Sequence, residues 1–288
     1  MTEEETLINL PPELERVIFE LAAWLYPSMI QTLILVAKRV WIWIEPQLYH
    51  VVLCDGGETQ LLIKMLEYKS PEFLQAHVRH LALSSSTSRD EVTRILSICT
   101  NICDLALWTG DTYPAMLPLL RNLTSLKCLS INLYSLFGGP ENFQIPPVDD
   151  LALKNLTHLD VFSDIPEPLW PFFGMLPSLT HLSLSDFTIL AWWTWYSTLD
   201  MFQPSDTADP RLCSVSCQEF RLDWIEGAWG RCDYWRRAES MVEKRRSRGL
   251  PWWCRKKVDR IINLGVMSKT HCANTTMLWN NGYNTVDI

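Results

Sequence analysis

The chain has 288 residues, 48% of them hydrophobic, and a formal charge of −8, which gives it ample core material and the wrong overall sign for a general polyanion binder. Ten Lys or Arg against three acidic residues make 236–260 locally +7 and leave the remainder near −15, so nucleic-acid binding is not expected outside that stretch. Nine scattered cysteines, an odd number in a chain of this size, read as reduced thiols rather than as a disulfide framework.

Met1 to Thr6 is acidic and no small-residue cleavage site follows, so no secretory signal is expected, and the chain is placed in the cytoplasm, the nucleus or both. The most apolar stretches are interrupted by Lys38-Arg39 and by Asp200, short of the roughly 20 residues that a membrane span needs. From Asn9 to about Leu53 the pattern is helical. Leu14, Val17, Ile18, Leu21 and Leu25 recur at three- and four-residue steps after Pro11-Pro12, and proline is tolerated in a first helical turn. Pro27 breaks this stripe, and Met29, Leu33 and Val36 begin a second that runs through Val40, Trp43 and Ile44 to Glu45-Pro46. About three short helices are expected over 9–53, a cluster too small to be stable unless it packs on its neighbours or a partner. A helical linker or cap is expected over 54–77.

From residue 78 the periodicity changes. Five segments carry apolar residues at relative positions one, four and six: Val78, Leu81, Leu83; Ile102, Leu105, Leu107; Leu126, Leu129, Ile131; Leu156, Leu159, Val161; and Leu179, Leu182, Leu184. Their central residues recur after 24, 24, 30 and 23 positions, the spacing of leucine-rich repeats with one longer insertion. Helix-compatible stretches lie between them at Glu91–Ile98, Met116–Leu123 and Leu169–Leu176. Each unit is therefore a strand with a return helix. Since no single unit can bury its apolar face, the units should stack as a solenoid over 78–248 with a parallel sheet on the concave side. An ordinary α/β domain with leucine-rich strands is the alternative.

Alternation along the strands sends the residues between the buried leucines to the other face. That row comprises His80, Ala82 and Ser84; Asp104, Ala106 and Trp108; Cys128, Ser130 and Asn132; His158, Asp160 and Phe162; and His181, Ser183 and Ser185. Trp108 and Phe162 beside His158, Asp160 and His181 make a mixed aromatic and polar patch suited to a protein partner, unless the basic tail or a loop covers it. His158 and His181 are adjacent, but two ligands make a weak metal site, and none is expected. Cys99/Cys103 and Cys213/Cys217 share a four-residue step that would place both sulfurs on one helix face, yet no four-ligand zinc set follows from them. The phosphate-loop, dinucleotide, nucleophile-elbow and zinc-protease patterns are all missing, so neither catalysis nor a cofactor is expected.

The run Asn9-Leu10-Pro11-Pro12-Glu13-Leu14, then Ile18-Phe19-Glu20-Leu21, Leu35-Val36-Ala37-Lys38-Arg39-Val40 and Trp43, resembles an F-box of the divergent kind found in mushroom-forming fungi. Ile44 to Val52 is similar to the stretch that closes that motif. Ile102 to Trp108, Leu156 to Leu159 and Asp223-Trp224 through Arg246 are also similar to such proteins, so the likeness spans roughly 9–248. The resemblance implies an F-box-like helical module followed by leucine-rich repeats. It implies a substrate receptor that joins a Skp-type adaptor, and through it a cullin-RING ubiquitin ligase, to an unidentified protein substrate. Carried over, adaptor contact falls on Leu10, Pro11, Leu14, Ile18, Phe19, Leu35 and Val36. A repeat scaffold acting outside any ligase is the alternative.

Two departures stand out. Between Leu190 and Asp209, where another repeat is due, only Trp192-Trp193-Thr194-Trp195 and a polar loop are found, and residues 249–288 carry no repeat pattern. The clusters Lys244-Arg245-Arg246-Ser247-Arg248 and Arg255-Lys256-Lys257 read as a solvated helix face or as a bipartite import signal.

Overall fold

A computed structural model describes residues 10–108, 112–146, 153–162, 166–184 and 220–247. The chain divides into two compact units, Met1–Glu239 and Ser240–Ile288; of the second, 240–247 is described, and there Ser247 Oγ donates to the Lys244 carbonyl. The expected tail at 249–288, the stretch between Leu190 and Asp209, and the pair Cys213/Cys217 lie outside the described residues.

The first unit opens with helices α1 (Pro12–Leu25), α2 (Ile30–Leu33) and α3 (Lys38–Leu48). Pro12 fills the first turn of α1, where its missing N–H costs nothing, and Glu13 and Glu15 favour the positive end of the helix dipole. Arg39 at the start of α3 donates two N–H groups to Glu15, at 2.9 and 2.7 Å, a bidentate tie between α1 and α3 at the surface. The inner side of this cluster is Ala23, Ile30, Val40 and Ile44, closed by Trp229 from far along the chain.

Strand β1 (Val51–Cys54) follows at once, and then α4 (Gly57–Tyr68) and α5 (Pro71–His77) lead into β2 (His80–Leu83). The expectation of a helical region up to residue 53 is corrected here, because β1 pairs in parallel with β2 through Val52↔Leu81 and Cys54↔Leu83. Tyr49, Val52 and Cys54 stand at relative positions one, four and six, so the repeat pattern begins one unit earlier with no leucine at any of the three sites. The remaining units are α6 (Arg89–Ile98) with β3 (Asp104–Leu107), α7 (Leu117–Asn122) with β4 (Cys128–Ile131), α8 (Leu133–Leu136) and α9 (Gly139–Asn142) before β5 (His158–Val161), and α10 (Trp170–Met175) before β6 (His181–Leu184). Helices α11 (Phe220–Ala228) and α12 (Tyr234–Arg246) complete the described chain.

Local chemistry starts and stops these elements. Ser88 and Glu91 form a reciprocal capping box at α6, Ser70 caps α5 and Asn132 caps α8, each satisfying backbone N–H groups that lack helical partners. Gly138 bends the chain between α8 and α9 with φ +105°, and a Cβ there would lie 2.2 Å from the Asn142 carbonyl oxygen, so only glycine fits.

The fold is α/β, with one six-stranded parallel sheet in the order β1-β2-β3-β4-β5-β6. Because every return segment adds the next strand beside the last, like residues fall into ladders. Leu81, Leu105, Leu129, Leu159 and Leu182 stand side by side across five strands and are buried against the return helices in the main core. Residues two positions apart on a strand share a face, so the opposite face carries a His80, Asp104, Cys128, His158, His181 ladder beside Ala82, Ala106, Ser130, Asp160, Ser183.

That second face differs from the expected open surface. Ala82 and Ala106 are buried with Trp224 in a second core, with Phe220, Ile225 and Trp108 packed on it. The two C-terminal helices lie over the sheet because small residues in the middle ladder leave room for aromatic side chains to approach the backbone, and the tryptophans of α11 and α12 supply the area to bury.

Candidate functional site

Two surfaces bear on function. The first is the outer side of α1 and the segment leading to α3. Leu10, Pro11, Leu14 and Ile18 are exposed, Leu35 is 82% exposed and Val36 is open as well. Among the seven positions expected to meet an adaptor, Phe19 differs, since it is half-buried against the inner cluster of Ala23, Ile30 and Trp229. Val17, Leu21, Leu25, Met29, Trp41 and Ile42 are exposed too, which widens the apolar surface beyond the seven positions expected to meet an adaptor. The stripe at three- and four-residue steps on α1 thus faces outward, and Ala23 with Phe19 faces inward, because the helix carries apolar residues on more than one side. A monomeric domain rarely leaves so much large apolar area to water unless a partner covers it.

The second surface is the sheet face beneath α11 and α12. Trp108 meets the ring of Phe220 edge-on at 5.5 Å, and Phe162 meets the same ring at 5.0 Å. Trp235 lies edge-on to His158 at 5.0 Å and to His181 at 5.7 Å. Asp160 is fully buried. The expectation that Trp108, His158, Asp160, Phe162 and His181 form an open partner surface is corrected accordingly: all five point to the predicted face, and the chain's own α11 and α12 lie on it. A tertiary contact covers this face, because the aromatic rings of Phe220 and Trp235 pack on it.

Between sheet and helices remains a cavity of about 260 Å³, lined among others by His80, Asp104, Cys128, His158, Trp224, Asp233, Trp235 and Glu239. Asp104 organises one end. Its Oδ1 accepts the indole N–H of Trp224 at 3.1 Å and its Oδ2 lies 3.4 Å from His80 Nδ1. The other ring nitrogen of His80 faces Cys103 Sγ at 3.8 Å. Burial works against a charge on His80, but Asp104 and then Cys103 outweigh it and hold the imidazole up at about 9. Burial likewise pushes the Cys103 thiol up, and the hydrogen bond and charge of His80 bring it below its ordinary value. Cys99 behaves oppositely, with burial alone lifting its thiol to about 12. Cys99 ends α6 while Cys103 precedes β3, so the two do not share a helix face.

At the other end His158 and His181 stack in parallel, ring centroids 4.2 Å apart with 4° between planes. Glu239 of α12 reaches His181 Nε2 at 3.1 Å. Burial, and then the neighbouring His181, push the His158 imidazole down to about 4, so at neutral pH it is uncharged with one nitrogen lone pair available.

Sequence reasoning missed Trp224, Trp235 and Glu239. The three tryptophans at 224, 229 and 235 within one short stretch were the available signal, since such density belongs in a core or an interface. Glu239 gave none, as a glutamate on a basic helix looks like any solvated residue.

By fold the described residues form an α/β protein whose parallel sheet is covered on one side by return helices and on the other by α11 and α12. Comparison with protein-family models, with curated proteins and with solved structures finds no match to any of them. Among the described residues, no helix is long and apolar enough to cross a membrane.

Proposed function

We propose that the chain is an F-box-type substrate receptor: α1–α3 dock on a Skp-type adaptor, and the strand-and-helix units are leucine-rich repeats that join a protein substrate to a cullin-RING ligase. The observation that carries this reading is the apolar outer side of α1 and Leu35-Val36, on a cluster whose inner side is already filled by Trp229 and so has no further core to join. Helix-in-groove docking uses side chains at such spacings, and burying them removes large aliphatic area from water at roughly 25 cal/mol per Å². The ubiquitin-transfer chemistry belongs to the partner enzymes, and the chain itself acts by binding, in the cytoplasm, the nucleus or both. The repeat face under α11 and α12 is already occupied, so the reading assigns substrate capture to the remaining surface of the solenoid.

The test is a pull-down of purified Skp-type adaptor by the full chain and by a Leu14→Asp, Ile18→Asp, Leu35→Asp variant. All three positions are exposed, so the variant should fold. Loss of at least about tenfold in affinity is expected for three lost anchors. A folded wild-type chain that captures no adaptor would overturn the reading and favour a repeat scaffold working outside any ligase.

A further inference from the structure

We propose that Cys103, His80 and Asp104 form a modification site, at which the Cys103 sulfur is oxidised by hydrogen peroxide to a sulfenic acid ahead of the other described thiols. The three side chains stand in sequence: Cys103 Sγ is 3.8 Å from His80 Nε2, and His80 Nδ1 is 3.4 Å from Asp104 Oδ2. A thiol beside an imidazole whose far nitrogen is held by a carboxylate is the arrangement that activates a sulfur nucleophile, and such contacts are often loose before a reactant arrives. Cys103 is partly open to solvent, as reaction with a small dissolved oxidant requires.

The backbone sets this line. His80 and Asp104 are direct partners across β2 and β3, and the Arg79 carbonyl accepts the N–H groups of Cys103 at 2.8 Å and Asp104 at 3.2 Å, which pins the entry to β3 beside the imidazole. The Trp224 indole holds Asp104 Oδ1 at 3.1 Å and leaves Oδ2 to His80. Counting hydrogens then gives the chemistry. Nδ1 carries a hydrogen toward the carboxylate. Cys103 Sγ also lies 3.2 Å from the Arg79 carbonyl oxygen, so its one hydrogen points either there or to His80 Nε2. Pointed at the carbonyl, it leaves Nε2 as the donor, and a ring with two N–H groups is an imidazolium set against sulfur. Pointed at Nε2, it is the proton that the imidazole removes. Both states lead to a thiolate that accepts the Nε2 hydrogen.

The surroundings favour that state at Cys103 and not at the other described thiols. Burial opposes the thiolate, but the hydrogen bond and charge of His80, and then the charge of Arg79, outweigh burial and Asp104 together. His50, whose ring lies 5.1 Å from that of His80, is pushed down to about 4 chiefly by burial and adds no charge at neutral pH. Cys54 and Cys99 are buried, with thiols pushed up to about 12 chiefly by burial, and burial pushes Cys128 up as well. Cys232 is exposed, its Sγ 4.0 Å from the Asp233 carbonyl oxygen, and is the accessible thiol for comparison. In the reaction the thiolate attacks one peroxide oxygen, so that an S–O bond forms and the O–O bond breaks. The departing hydroxide takes the Nε2 hydrogen of the imidazolium and leaves as water, sulfur being oxidised by two electrons and peroxide reduced by two. This site is independent of adaptor docking, which lies on α1 and the segment before α3.

The experiment uses the purified, reduced full chain, treated with limiting hydrogen peroxide and dimedone to trap sulfenic acid, and in parallel with limiting iodoacetamide. Each cysteine is read separately by peptide mass spectrometry. At pH 7 Cys103 should react at least about threefold faster than Cys232 with both reagents, a more abundant thiolate being partly offset by its lower nucleophilicity. The pH profile of its alkylation should have a midpoint below the ordinary thiol value near 8.5. His80→Gln, with its circular dichroism unaltered, should slow Cys103 at least about threefold and move that midpoint up while leaving Cys232 as it was. Reaction of Cys103 no faster than Cys232 in the folded wild-type chain would overturn the proposal without recourse to any variant. So would a Cys103 rate and midpoint that survive His80→Gln, since an ordinary half-buried thiol would behave in that way.

Discussion

Asp104 joins two parts of the chain through one carboxylate, accepting from Trp224 on α11 and facing His80 on the neighbouring strand. Asp104→Ala leaves a buried indole N–H without its acceptor, so a loss of about 1–3 kcal/mol is expected in urea denaturation. The same residue shapes the pH dependence. His80, ordinarily near 6.5, is held at about 9 in the folded chain, so its contribution is complete below 6.5 and disappears as pH rises through 9. His50 and His158 go the other way, both pushed down to about 4 chiefly by burial. As pH falls from 6.5 through 4 the unfolded chain takes up protons that the folded chain refuses, and stability declines. Melting temperature should therefore be highest near pH 6.5 and fall on both sides. Asp104→Asn should flatten the alkaline side while leaving the acid side alone; an unaltered alkaline slope would remove His80 as its cause.

Among the elements, α11 decides how much of the second sheet face stays exposed. Trp224 is 4% exposed and packs on Ala82 and Ala106, so Trp224→Ala should cost about 3–5 kcal/mol by lost burial and a residual cavity. Hydrogen exchange should then quicken across 220–228 and leave the leucine ladder protected; uniform quickening would mean that α11 and the sheet unfold as one unit. The ladder was legible in sequence because leucines at positions one, four and six follow from strand geometry and recur with the length of a return helix. Strand β1 was not, since Tyr49, Val52 and Cys54 fill the same three positions with residues that carry no repeat signature. The exposed stripe of α1 was legible as a stripe, but its direction was not: Phe19 and Ala23 on the inner side form an apolar pattern that competes with it.

For the whole molecule, the described sheet has a closed side and a side that α11 and α12 close from afar. A chain ending at residue 219 should expose Trp108, Phe162 and the alanine ladder, with raised binding of a hydrophobic dye and lower solubility. A soluble chain that binds no more dye than the full length would show that these helices are dispensable to the sheet. The sequence by itself determined the strand-and-helix alternation, the parallel order and the face to which each strand residue points, since strand period and repeat length are local properties of the chain. Only the tertiary structure decided whether the face bearing Trp108 and Phe162 stays open and whether His181 meets a carboxylate partner. Asp104 and Trp224 are 120 residues apart, and Glu239 meets His181 across 58 positions of sequence. Contacts at that separation are set by which apolar surfaces find each other when the chain collapses, and no local spacing records them.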